Sequence, residues 1–158
     1  MEDWKHDRIA AAERGENPTV VLRMPSGFAV MGDTQFLPGY CLLLGMPRVH
    51  DLSALPLAKR LAFLRDMSLL GEAVEAVCSP QRVNYEIFGN ADPFLHAHVL
   101  PRYAWEPAEY LRVPVSQYPR DVRLDLRHQF SAATHGPLQA QLASALRASM
   151  ERAGVDAD

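Results

Sequence analysis

Residues 84–103 read Asn84-Tyr85-Glu86-Ile87-Phe88-Gly89-Asn90-Ala91-Asp92-Pro93-Phe94-Leu95-His96-Ala97-His98-Val99-Leu100-Pro101-Arg102-Tyr103, and this stretch decides the fold. Val83 to Phe88 and Leu95 to Leu100 have the make-up of strands, and the Gly-Asn-Ala-Asp-Pro segment between them has the make-up of a turn. His96 and His98 alternate along the second strand. Both imidazoles therefore leave the same face, which Phe94 and Leu100 share.

Working outward, Asp3 is placed to cap a first helix through about Arg14, with Gly15 as its stop. Thr19 to Met24 reads as a strand, Pro25-Ser26-Gly27 as a turn and Phe28 to Met31 as the returning strand. Gly32 to Gly39 is a loop carrying Asp33, and Tyr40 to Leu44 is a short strand buried on both faces. Ser53 or Asp51 can cap the next helix, with Pro56 near its first turn. In it Leu57, Leu61, Leu64, Met67, Leu70 and Val74 recur at helical spacing to about Val77, and Ser79-Pro80 ends it. Residues 104–120 hold Pro107, Pro114 and Pro119 among aromatic residues and read as an irregular crossing segment. A last amphipathic helix is expected from about Pro137 to Arg152. The sum is an α+β fold: a mainly antiparallel sheet, one long helix packed on it, and helices at both ends.

The chain has 158 residues, which fits one domain and a conventional core. Hydrophobic residues make up 48% and charged residues 22%, too apolar for a disordered chain. The net charge of −3 lacks the basic excess that gripping DNA or RNA requires, so polymeric nucleic acid is not expected as a partner. Small phosphorylated ligands remain open, since a pocket needs only a few local donors. Cys41 and Cys78 have no CxxC spacing and are expected to be reduced core thiols. No apolar leader follows Met1 and no run of 18 apolar residues exists, so a soluble, cytoplasmic protein without membrane partners is expected.

Two imidazoles on one strand face offer two functions at one phosphorus atom: a nucleophile and a donor to non-bridging oxygens. An isolated His-x-His pair also occurs as core or surface histidines, or as metal ligands. The metal reading needs a third ligand. No carboxylate follows His98 until Glu106, so no metal and no cofactor is expected.

The run from Phe94 to Arg102 resembles the motif of the histidine-triad (HIT) family, His-x-His-x-His followed by two apolar residues and often Pro-Arg, with Phe94 in the first position. Gly89-Asn90 stands where those proteins often carry Gly-Gln or Gly-Asn. Asp33, then Phe36 to Leu44, resembles the family's ribose-contact loop and Pro-Gly-His strand, with Tyr40 in place of that histidine. His50-Asp51-Leu52 before the long helix is similar as well. The likeness covers roughly residues 18–103, leaving 104–158 as a C-terminal extension of a single HIT-like domain over residues 1–158.

The resemblance implies that His96 attacks an α-phosphorus to form a nucleotidyl-imidazole, and that His98 contacts α-phosphate oxygens. It implies that Asn90, and at one residue's offset Asn84, offer amides near the phosphates, and that Asp33 bonds ribose hydroxyls. Phe94 cannot donate from its side chain but keeps the carbonyl that orients the nucleophile. Ala91 lacks a hydroxyl often found there. The implied activity is hydrolysis of nucleoside 5′-phosphate derivatives such as dinucleoside polyphosphates, by a homodimer. A nucleotide-binding module with little turnover and a nucleotidyl transferase are the alternatives. Structural readings stand beside these. Asp33 can simply hold its turn, Asn84 can satisfy strand backbone, and Arg102 can make a surface salt bridge. Tyr103, Trp105 and Tyr110 can be packing rather than a base platform.

Overall fold

The structure is a computed structural model and describes residues 3–157. Its centre is a five-stranded sheet built from β1 (Val20–Met24), β2 (Gly27–Met31), β3 (Cys41–Gly45), β4 (Arg82–Glu86) and β5 (His96–Arg102). The strand order is β1-β2-β3-β5-β4, and every neighbouring pair is antiparallel. β1 and β2 form a hairpin in which Met24 pairs with Gly27. Gly27 has φ +152°, and any side chain there would run into the Leu44 carbonyl of β3. Only glycine fits.

The long helix α2 (Leu57–Cys78) crosses from β3 to β4 and packs on one face of the sheet with α4 (Ala132–Arg152). The core between these layers holds Met24, Ala29, Met31, Cys41, Leu43, Ala97 and Val99 from the strands. Phe63, Leu70 and Val74 meet them from α2, and Leu142, Leu146 and Met150 from α4. Asp66 of α2 is fully buried. It is satisfied there, accepting from the Ser26 backbone N–H (2.9 Å) and hydroxyl (2.6 Å) and from Arg65 (2.8 Å). That ties the helix to the hairpin turn. Cys41 and Cys78 are free thiols.

Several helix ends differ from expectation, each for a local reason. Asp3 opens only a 3-10 turn, and the α-helix α1 (Arg8–Glu13) is capped by Asp7, which accepts from Ala10 N–H at 3.0 Å. Asp51 caps a separate 3-10 turn, Leu52–Ala54, while α2 starts after Pro56 with no side-chain cap. Ser79 ends α2 in the left-handed conformation, φ +47°. α4 begins five residues before Pro137, because Ser131 caps it through Thr134 N–H. β4 stops at Glu86, so Ile87 and Phe88 lie beyond it, and Tyr40 precedes β3.

Between β5 and α4 the chain crosses the opposite face of the sheet. It does so through 3-10 turns at Val115–Gln117 and Leu126–His128 and one short helix, α3 (Arg120–Arg123). Arg102, 5% exposed, anchors this segment. Its guanidinium donates to Glu106 (3.1 Å), to the carbonyls of Val113 (2.8 Å) and Tyr110 (2.6 Å), and to Asn84 Oδ1 (2.9 Å). Glu106 also accepts from Tyr103 N–H (2.6 Å) and the Tyr118 hydroxyl (2.6 Å). Arg102 is thus neither a phosphate ligand nor a surface ion pair. It is buried and bonded through all three of its side-chain nitrogens, as a charge in that position requires.

Candidate active site

His96 and His98 stand on the face of β5 turned away from α2, because the alternate residues Ala97 and Val99 enter the helical core. Pairing sets Leu44 opposite His96, and both Leu42 and Glu86 opposite His98. The two rings meet edge to face, centroids 5.0 Å apart. They line a cavity of about 370 Å³ between the sheet, α1 and the crossing segment, a volume in the range of small-ligand sites.

Each ring is held through one nitrogen. His96 Nδ1 is 2.8 Å from the Phe94 carbonyl oxygen. A carbonyl can only accept, so Nδ1 carries the hydrogen and Nε2 keeps the lone pair in the neutral ring. His98 Nδ1 is 2.6 Å from the Tyr40 hydroxyl. Burial, with the charges of Asp33 and Glu86, pushes the Tyr40 hydroxyl well above the usual phenol range. Burial, reinforced by His96 and opposed by Asp92, brings His98 down to about 4. When the tyrosine donates to Nδ1, the neutral His98 ring carries its hydrogen on Nε2 and presents a donor. Gly32 makes this contact achievable: a side chain there would collide with the Tyr40 ring.

The expected site residues do not all converge. Phe94 lines the cavity with its ring 5.0 Å from His96 and with the Arg48 guanidinium 5.3 Å from its own centroid. Asp33 lies at the rim in a two-pronged ion pair with Arg8 of α1, at 2.7 and 2.6 Å. Asn84 shares a strand face with Glu86, yet its amide oxygen is taken by Arg102 and it lines a neighbouring groove. Asn90 is exposed on the loop and is not among the residues that line the cavity. Among the described residues no group of three histidine, cysteine or carboxylate side chains could hold a metal ion.

No protein-family model matches the sequence, and no curated protein does. Solved structures do match. A histidine triad protein from Marinobacter aquaeolei superposes with TM-score 0.70 at 20% identity, over 90% of this chain and 95% of that one. A histidine triad (HIT) protein from Sinorhizobium meliloti gives 0.68 at 15%, over 84% and 93%. A hypothetical histidine triad nucleotide-binding protein from Sulfolobus tokodaii gives 0.69 at 11%, over 92% and 95%.

The chain has the histidine-triad fold.

On that fold the cavity gains residues that sequence reading left out of the site. Tyr40 was visible only as a replacement for a histidine, and its contact with His98 depends on the β3–β5 register. Glu86 follows from alternation: it is two residues after Asn84 on β4 and pairs with His98. Phe88 is 6.2 Å from the His98 ring. Arg8, Ser116 and Arg123 reach the cavity from α1 and the crossing segment, and no local pattern in the sequence signals them. Tyr110 and Tyr118 stack at 4.3 Å, and Tyr118 packs edge-on against Phe36 at 5.3 Å, so they support the cavity wall. Tyr103 and Trp105 stack on each other at 5.0 Å outside the cavity.

Proposed function

We propose that the protein is a histidine-triad hydrolase. It cleaves nucleoside 5′-phosphate derivatives, such as dinucleoside polyphosphates, and releases a nucleoside monophosphate. The observation that carries this reading is the 2.8 Å bond from His96 Nδ1 to the Phe94 carbonyl. It leaves Nε2 as the unprotonated, nucleophilic nitrogen of a ring beside the cavity. His96 attacks the α-phosphorus and the leaving group departs. Water then attacks the nucleotidyl-imidazole and restores the ring. His98, neutral near pH 7, donates to a non-bridging oxygen and stabilises the charge that develops there. Asp33 accepts from ribose hydroxyls at the rim, with Arg8 fixing its carboxylate.

Phe94 gives a second reading some support, because its side chain offers no donor where a triad histidine would. A binding module would then keep the pocket and lose turnover. Incubation with dinucleoside polyphosphates and nucleoside phosphoramidates, with products resolved by chromatography, separates the two. Monophosphate release supports the hydrolase, and saturable binding without product supports the module. Transfer to an acceptor other than water would appear in the same assay as a mixed product.

A homodimer is part of the proposal. β4 is an edge strand, and Tyr85, Ile87 and Phe88 are exposed on and beside it, with Leu57 and Leu61 exposed on α2. Unpaired edges beside apolar surface invite a second copy. Sedimentation of the protein at micromolar concentration tests this.

A further inference from the structure

The nucleotidyl-transfer step proposed above needs a proton at the departing group whenever that group is a poor one, such as an alcohol or an amine, and neither histidine is free to give one. The hydrogen of His96 sits on Nδ1 and is bonded to the Phe94 carbonyl. His98 titrates down at about 4 and is a neutral ring near pH 7. The loop position that could have offered a hydroxyl is Ala91.

Three carboxylates line the cavity: Asp33, Glu86 and Asp92. Asp33 is committed to Arg8 through both oxygens, and Asp92 is solvent-exposed on its loop. Glu86 is different. It sits at the end of β4, directly across the strand pair from His98, half-buried, with no hydrogen-bond or ion-pair partner among the described residues. The strand fixes its backbone, while its side chain is uncommitted.

We propose that Glu86 protonates the leaving group when His96 attacks, and deprotonates the water that resolves the intermediate. The proposal rests on the hydrolase reading above. In the first step the Nε2–P bond forms and the bond from phosphorus to the leaving atom breaks. The Glu86 proton goes to that atom, leaving a carboxylate and an imidazolium-linked nucleotide. In the second step a water oxygen bonds to phosphorus, the P–N bond breaks, and one water proton returns to Glu86. His96 ends neutral with Nδ1–H intact, so atoms and charge balance. The surroundings suit both states. Burial raises the Glu86 carboxyl above its ordinary value, and Arg102 of β5 pulls the other way. The other ionisable groups around it are His96 and His98 on β5, Tyr40 before β3, Asp92 on the loop, and Asp33, Arg8 and Arg123 around the cavity, with Arg82, Tyr85 and Arg112 along the groove that Glu86 also borders.

The test is leaving-group dependence in the full-length protein. Two substrates differ only in the ester on the nucleoside 5′-phosphate: 4-nitrophenol, which leaves without help, and a simple alkyl alcohol, which must be protonated. Glu86→Gln should lower kcat/KM for the alkyl ester by about a hundredfold or more, and for the nitrophenyl ester by less than about threefold. The fall in alkyl-ester kcat/KM at rising pH, present in the native protein, should vanish in the variant. Equal losses on both esters, or no loss on either, would overturn the assignment. So would a selective loss in Asp92→Asn that Glu86→Gln lacks. A native protein that cleaves neither ester would overturn the hydrolase reading, and this proposal with it.

Discussion

The Tyr40 hydroxyl and His98 Nδ1 lie 2.6 Å apart, so the tyrosine fixes which nitrogen of that ring faces a ligand. Tyr40→Phe keeps the ring and removes the partner. A buried ring nitrogen left unpaired costs about 1–3 kcal/mol. The variant should unfold at lower denaturant by that amount. Turnover should fall by about tenfold or more, equivalent to roughly 1.4 kcal/mol of barrier. Denaturant titration and steady-state kinetics on one preparation check both.

His96→Ala should abolish product formation and leave nucleotide affinity within a small factor, since in the proposed reaction its Nε2 attacks phosphorus while other groups bind the ligand. Mass spectrometry of the native protein after quenching without acid should show a nucleotide adduct, which the variant should lack.

The protonation of His98 sets a pH window for stability. Its folded-state value, about 4, lies below the ordinary value of 6.5. As pH falls, the unfolded chain binds the proton first. The contribution of the neutral ring is therefore full above about pH 6.5 and is lost progressively down to about pH 4. The loss is on the order of 3 kcal/mol. In unfolding measurements between pH 7 and pH 4, the native protein should lose that much more than His98→Gln.

Phe94→His should change turnover by less than about tenfold. The group that orients His96 is the carbonyl of residue 94, which any residue supplies. The Phe94 ring is a packing element between His96 and Arg48. A variant that gains activity from an inactive native protein would instead favour the binding module.

Asp33→Ala should weaken ribonucleotides more than their 2′,3′-dideoxy analogues, by about 1.5–3 kcal/mol. Because the change also frees Arg8, the comparison should be repeated in Arg8→Ala. Equal losses for the two sugars would assign Asp33 to holding α1 against the loop. Isothermal titration reads the difference.

Much of the fold could be read from local pattern. Alternation at His96 and His98 gave the face, Pro25-Ser26-Gly27 gave the hairpin, and the leucine spacing from Leu57 gave the long helix. Helix starts were less legible: Asp3 and Asp51 belong to short 3-10 turns ahead of α1 and α2, and Ser131 lies outside the amphipathic run it starts. Of the side chains that line the cavity, His96, His98 and Phe94 were legible, because strand geometry there is local. The site was not legible at Arg8, Ser116 or Arg123, which come from segments that the tertiary fold lays over the sheet. Glu86 carried no signal of its own in the sequence: the β4–β5 register sets it opposite His98 and sets Asn84 opposite Leu100, where the Asn84 amide oxygen accepts from Arg102.

Arg102 also joins the strand of the two histidines to the segment that crosses over them. That strand ends in the guanidinium that grips residues 106, 110 and 113, just ahead of Val115 and Ser116, which line the cavity. A substitution at Arg102 should therefore reshape the cavity wall from a distance, without touching His96.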